Sequence, residues 1–181
     1  MLFFQRHPEL FSRQPLALLH VAPEPCLERF LRERCGDAYL SVDIYHQGVM
    51  ERMDITAIGR PDDSFDAVFC SHVLQDIAED DRALRELFRV LKPGGWAVLN
   101  VPLFSADGTK DITGTNRGPD RPLEQLRHYG RDYRLQLERA GFIVTEYGPA
   151  EVRDPADPRD PGLDHAMTGI IHFVRKPGGA S

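Results

Sequence analysis

The strongest constraint on this chain is an alternation. Short apolar runs broken by Pro, Gly or Asp take turns with stretches whose apolar residues recur every three or four positions. Leu16 to Ala22 is such a run, and its length and flanking prolines favour a buried strand. Glu24 to Arg34 then places Leu27, Phe30 and Leu31 at helical spacing, with an acidic start and a basic end that match the helix dipole.

The pattern repeats. Ala38 to Asp43 reads as a second strand, Val49 to Ile55 as a short third and Ser64 to Ser71 as a fourth. Asp80 to Leu91, with Leu84, Leu87, Phe88 and Leu91 in phase, predicts a helix stopped by Lys92-Pro93-Gly94-Gly95. Trp96 to Val101 is a fifth strand. Residues 103–126 lack any sustained apolar period, and a connection that long predicts a flap on the substrate side. Tyr129 to Ala140 reads as a last helix capped by Gly141. Two final strands, Phe142 to Tyr147 and Gly169 to Arg175, are expected to pair antiparallel. Between them the spaced prolines of residues 150–166 mark an exposed loop, and residues 176–181 a flexible tail. Parallel neighbours need crossover connections, so the pattern implies a mostly parallel sheet covered on both faces. In such α/β sheets ligands bind outside the carboxyl ends of the strands.

Length and composition restrict the function. The 181 residues suit one domain, 1–181, and 41% hydrophobic with 28% charged residues is an ordinary globular balance. A net charge of -6 argues against general nucleic-acid binding, which rests on Lys and Arg neutralising phosphates. The opening Met1 to Pro8 is too short an apolar run for a signal peptide, and no run reaches the ~20 apolar residues of a membrane span. A cytoplasmic protein is expected. Cys26, Cys35 and Cys70 form no CxxC pair, so neither disulfides nor a metal site is expected, and Cys35 and Cys70 read as buried fillers.

The strand ends carry the chemistry. His20 to Glu24, Asp43, Asp54-Ile55-Thr56 and Ser71-His72 together outline one crevice. Asp43 lies 21 residues beyond Ala22, near the ~20-residue offset at which an acid after the second strand meets a ribose in nucleotide-binding folds. Asp43 and Asp54 are also typical strand-exit turn residues.

At this point a resemblance becomes specific. Leu18 to Glu24, Tyr39 to Asp43, Arg52 to Thr56, Asp63 to Leu74 and Arg82 to Trp96 resemble the motifs of class I S-adenosylmethionine-dependent methyltransferases, of the type 11-like kind. The D-S-F-D-x-V run followed by R-x-L-K-P-G-G is the most specific part. The resemblance spans roughly residues 16–148. It implies a Rossmann-like, doubly wound, mostly parallel seven-stranded sheet with an antiparallel last strand. It also implies S-adenosyl-L-methionine as cofactor and a small-molecule or protein methyl acceptor, with no membrane partner. Carried over residue by residue, it puts His20, Ala22, Pro23 and Glu24 in the turn beside the methionine part. Asp43 falls on the ribose, Asp54 and Ile55 beside the adenine, and Ser71 and His72 near the methyl group.

One departure stands out. His20 replaces the usual acid of the first motif, and Ala22, Glu24 and Cys26 stand where glycines are usual. The L-H-x-A-P-E variant, with the later Arg127 to Tyr133 and Leu137 to Phe142, resembles a bacterial subgroup. His72 is the candidate general base, because imidazole titrates near neutrality, and packing beside the cofactor is its simpler role. His20 suits an interior hydrogen-bonded histidine equally well. His128, Tyr129 and Tyr133 are candidates for the acceptor pocket or for core. Asp76, Glu79, Asp80 and Asp81 read as the acidic start of a helix, and Arg89 and Lys92 as solvated cations at its end. Two other functions remain in play: a non-catalytic methyltransferase-like binding module, suggested by the glycine-poor turn, and a nicotinamide-dependent oxidoreductase, disfavoured by the missing G-x-G-x-x-G.

Overall fold

A computed structural model describes residues 1–105, 107–113, 125–152 and 170–179. The elements in chain order are α1 (Leu2–Arg6), β1 (Leu18–Val21), α2 (Pro25–Cys35), β2 (Tyr39–Asp43), β3 (Glu51–Arg52), β4 (Phe65–Ser71) and α3 (Asp80–Val90). There follow β5 (Leu91–Asn100), β6 (Leu103–Ser105), β7 (Lys110–Asp111), β8 (Arg127–Gly130), α4 (Tyr133–Arg139), β9 (Ile143–Tyr147), α5 (Pro149–Val152) and β10 (Ile171–Arg175). Seven strands form one sheet in the order β3-β2-β1-β4-β5-β10-β9. The five on the β3 side run parallel, and β10 lies antiparallel between β5 and β9. The strand order reverses between β1 and β4, which opens a crevice at the carboxyl edge there.

Period-two alternation sorts the strand side chains onto two faces. Leu19 and Val21 of β1, Val68 and Cys70 of β4, and Ala97 and Leu99 of β5 join Ala83, Leu84 and Leu87 of α3 and Tyr133 and Leu137 of α4 in one cluster. Leu18, Ala67, Phe69, Trp96 and Val98 face the other way, against Leu31 and Cys35 of α2 and the aromatic N-terminal segment. Phe3, Phe4 and Leu10 of that segment, unassigned in the sequence reading, bury themselves on Trp96, Phe69 and Phe173. No helix among the described residues is long and apolar enough to cross a membrane.

Several sequence expectations are corrected. The third strand shrinks from residues 49–55 to two residues, because the Asp54 carboxylate captures the backbone N–H of Thr56 at 2.8 Å and turns the chain out of the ladder. The fifth strand begins at Leu91, and Lys92 to Gly95 form a bulge within it. Gly95 is required there, since a Cβ would lie 2.8 Å from the Lys92 carbonyl and 2.9 Å from that of Asp66. The last helix starts at Tyr133, because residues 127–130 pair with β6 and β7 as a small second sheet. That sheet also gives structure to parts of the predicted flap. Its residues 106 and 114–124, the loop residues from 153 to 166 and residue 169 of the expected last strand lie outside the described residues, as do 180 and 181 of the tail. Lys176 is anchored, with its amide on the Gly95 carbonyl at 3.0 Å and its ammonium on Asp63 at 2.7 Å. Arg89 and Lys92 are engaged as well: Arg89 bonds Glu86, Asp62 and the carbonyls of Ile58 and Arg60, and Lys92 meets Asp66 at 2.9 Å.

Candidate functional site at the carboxyl edge

A cavity of about 720 Å³ opens at the strand ends of β1, β2 and β4 and the segment after β3. That is within the size range of small-molecule and cofactor pockets. Ala22, Asp43, Asp54, Ile55 and His72, five of the predicted residues, line it together.

The two aspartates share one construction. Asp43 Oδ1 accepts the backbone N–H groups of Tyr45 at 2.6 Å and His46 at 2.8 Å. Asp54 Oδ1 accepts the backbone and hydroxyl of Thr56, both at 2.8 Å. Each is therefore a turn residue, and each spends only one oxygen on the turn. The second oxygen of each carries no protein hydrogen bond among the described residues. The parallel pairing of Asp43 with Arg52, and the Met53 N–H on the Asp43 carbonyl at 3.1 Å, set the two acids on one rim. Such an arrangement can accept hydrogen bonds from a polyol and an amino group side by side, and charge assistance makes those bonds stronger than neutral ones.

Ala22 and His72 are left-handed, with φ of 48° and 58°. Non-glycine residues in that region carry about 1–3 kcal/mol of strain and persist only where surroundings over-determine them. The ladder supplies that determination: the Ala22 N–H bonds the Val42 carbonyl at 2.8 Å, and the His72 N–H bonds the Asn100 carbonyl at 2.9 Å. The glycine-poor first motif is thus accommodated by placing an alanine where a glycine would be unstrained.

The remaining predicted residues lie off the cavity. Alternation sends His20 to the opposite face, where it is fully buried with Nδ1 2.8 Å from the Tyr39 hydroxyl and Nε2 3.4 Å from Glu24. It therefore braces the turn from behind. Burial alone would raise the Glu24 carboxyl, but the hydrogen bond from His20, with backbone bonding, holds it below the usual carboxylate value. Pro23, Glu24 and Ser71 sit at the turns without lining the space. His128 stacks on Phe104 with ring centroids 4.0 Å apart. Tyr129 and Tyr133 are fully buried, their hydroxyls donating to Asp80 at 2.6 Å and to the Leu99 carbonyl at 3.2 Å. Burial raises both phenols, and neither lines the cavity.

The cavity also holds residues the sequence reading did not assign to it. Tyr45 and His46 directly follow Asp43, and strand-end position was the available signal. Asp76, Ile77 and Leu126 line the side beyond His72. Burial raises the Asp76 carboxyl above the ordinary value, with the Gln75 amide and the nearby His72 pulling the other way. Asp80, also read as a helix-start acid, is buried and bonded by Tyr129, Gln136 and Arg127.

Residues 17–99 match the family model described as a methyltransferase domain, a segment that contains all five predicted cavity-lining residues. The ubiquinone/menaquinone biosynthesis C-methyltransferase UbiE of Vibrio campbellii is 54% identical over 35 residues, 19% of this chain and 14% of that protein. Its counterpart from Xanthomonas campestris pv. campestris is 47% identical over 57 residues, 31% of this chain and 22% of that protein. The matched part is thus under a quarter of either relative's length. Among solved structures, an S-adenosylmethionine-dependent methyltransferase from Mesorhizobium loti aligns over 93% of this chain and 96% of its own, with TM-score 0.62 and 18% identity. The [4+2]-cyclase SpnF aligns over 96% and 82%, with TM-score 0.63 and 21% identity. Residues 17–99 are thus similar to a methyltransferase domain, within a fold that the chain shares with a solved S-adenosylmethionine-dependent methyltransferase.

Proposed function

We propose that this protein transfers a methyl group from S-adenosyl-L-methionine to a small-molecule or protein acceptor in the cytoplasm. The observation that carries the reading is the pair of half-used carboxylates, Asp43 and Asp54, on one rim of a cavity of about 720 Å³. Asp43 accepts the ribose hydroxyls, Asp54 the adenine amino group, and Ile55 packs beside the ring. The turn at Ala22 lies against the methionine part, braced by His20 through Glu24. The cofactor, when bound, supplies an electrophilic methyl group on a sulfonium. The chain's own residues then have two tasks, to align the acceptor and to take any proton it loses. His72, on the cavity wall and exposed, is the base, and the apolar side formed by Val73, Ile77 and Leu126 receives the acceptor.

A non-catalytic binding module was the rival suggested by the glycine-poor turn. A crystal grown with excess cofactor that showed Pro23 and Glu24 filling the crevice would establish it; neither residue lines the cavity. Isothermal calorimetry tests the proposal directly. S-adenosylhomocysteine is expected to bind the wild type in the micromolar range, and Asp43→Ala to weaken it at least ~30-fold, about 2 kcal/mol. Absence of heat with both the cofactor and S-adenosylhomocysteine would refute it.

A further inference from the structure

We infer that Gln75 is a positioning residue for the cavity wall, acting through His72, Asp76 and Leu126; this rests on the function proposed above. Gln75 is itself 3% exposed and lines no part of the cavity, yet it bonds three residues that do. Its amide nitrogen donates to the His72 carbonyl at 2.6 Å and to Asp76 Oδ2 at 2.9 Å. Its backbone carbonyl accepts the Leu126 N–H at 2.8 Å.

The His72 bond matters most, because His72 is left-handed and such a conformation holds only when flanking groups pin it. Asn100 pins the amide of His72 from β5, and Gln75 pins its carbonyl from the single 3-10 turn Leu74–Asp76. With both in place, the chain leaving β4 turns so that residue 72 forms part of the wall. The second amide proton of Gln75 fixes Asp76 through Oδ2, leaving Oδ1 without a protein hydrogen bond among the described residues. One buried carboxamide therefore sets two ionisable groups of the cavity wall, His72 beside the cofactor's reacting end among them. An amide suits this place where a carboxylate would not: two donors are consumed, one by a carbonyl and one by a carboxylate. Among the described residues the buried Oε1 carries no hydrogen bond, a cost that a purely structural apolar residue would avoid.

The experiment compares wild type, Gln75→Leu and Gln75→Glu by calorimetry with S-adenosylhomocysteine at pH 8 and pH 5.5, with thermal unfolding as the folding control. Gln75→Leu keeps the volume and loses both donors, and is expected to bind about tenfold more weakly at both pH values while still unfolding cooperatively. Gln75→Glu places an anion beside Asp76 and against a carbonyl at pH 8, so it is expected to bind at least as weakly there. At pH 5.5 partial protonation restores one donor, and its affinity is expected to recover several-fold relative to Gln75→Leu. The other charged groups around this turn are His72, Asp80 and Arg127, the last bonded to the Ile77 and Ala78 carbonyls. All three are common to both variants, so their titration cancels in that ratio. A residue that only supports the fold would lower the unfolding midpoint without this acid recovery. Gln75→Leu binding within twofold of wild type at both pH values overturns the inference alone, whereas no binding by wild type overturns it together with the proposed function.

Discussion

The two edges of the sheet use the same residue type in opposite ways. At the amino edge, Asp66 is 6% exposed and surrounded: Oδ2 accepts the Ala17 N–H at 3.0 Å and the Lys92 ammonium at 2.9 Å, and Arg13 lies 3.3 Å from Oδ1 as an ion pair without hydrogen-bond geometry. At the carboxyl edge, Asp43 and Asp54 each satisfy a turn with one oxygen and keep the other uncommitted. Asp66, closed off from solvent with its second oxygen facing only the Arg13 ion pair, holds strands together, while Asp43 and Asp54 line a cavity and keep one oxygen able to accept. The difference teaches where to look for binding: where local hydrogen bonds fix a polar group's geometry and its remaining oxygen opens on a cavity instead of a buried ion pair.

Asp66→Ala breaks that comparison hardest if it is wrong. It leaves an N–H and an ammonium without their shared partner, and since Lys92 stays a third exposed the loss is expected to be about 3 kcal/mol, at the low end for a broken buried pair. Urea unfolding measures it, and S-adenosylhomocysteine affinity should stay within about threefold of wild type. Asp43→Ala should give the mirror image, a stability change under about 1 kcal/mol with binding weakened at least ~30-fold. If both variants lost stability and neither lost binding selectively, the distinction between the edges would have no energetic content.

Much of this was legible in the sequence. Strand and helix order came from apolar runs and period, and the strand-end rule placed Asp43, Asp54 and His72 on the cavity. His20 went astray because its neighbours Leu19 and Val21 face the cavity side, and alternation forces His20 away from them. Tyr129 and Tyr133 were ambiguous because a tyrosine reads alike whether its hydroxyl meets a ligand or, as here, Asp80 and a backbone carbonyl. Gln75 gave no signal at all, since its role depends on a left-handed neighbour and on a carboxylate one residue away, neither visible as a pattern. The N-terminal aromatics were too few for a helical period, and their packing on Trp96, Phe69 and Phe173 explains their burial.

His172 sharpens the comparison, because it lies at the carboxyl edge with its amide on Asn100 Oδ1 at 2.9 Å and its ring almost wholly buried. Among the described residues Nδ1 has no hydrogen bond, and Nε2 stands 3.6 Å from Glu146. Burial, assisted by Arg134, lowers its pKa to about 4 from 6.5. The depressed base costs nothing while it is neutral in both states, above about pH 6.5. As pH falls from there towards 4 the unfolded chain takes up the proton first, and the fold loses stability. Between pH 7 and pH 5 the wild type should lose about 2 kcal/mol more than His172→Gln in urea unfolding. Equal losses would mean that the ring is solvated and that this edge is less dry than its packing implies.

The smallest effect tests the strain itself. Asp63, the third left-handed non-glycine residue, lies near the amino edge and is a type that tolerates this region, anchored by its N–H on the Arg89 carbonyl at 3.0 Å. Ala22 has neither a tolerant side chain nor a polar group to compensate, so Ala22→Gly should relieve about 1 kcal/mol, partly offset by the greater freedom of glycine in the unfolded chain. A net gain of roughly half a kcal/mol is expected, readable as a small rise in the unfolding midpoint. Because the backbone already holds the turn that glycine would adopt, S-adenosylhomocysteine affinity should change less than about threefold. A tenfold gain would instead mean that the alanine methyl group narrows the crevice, and the strain at this edge would then act on ligand access as well as on stability.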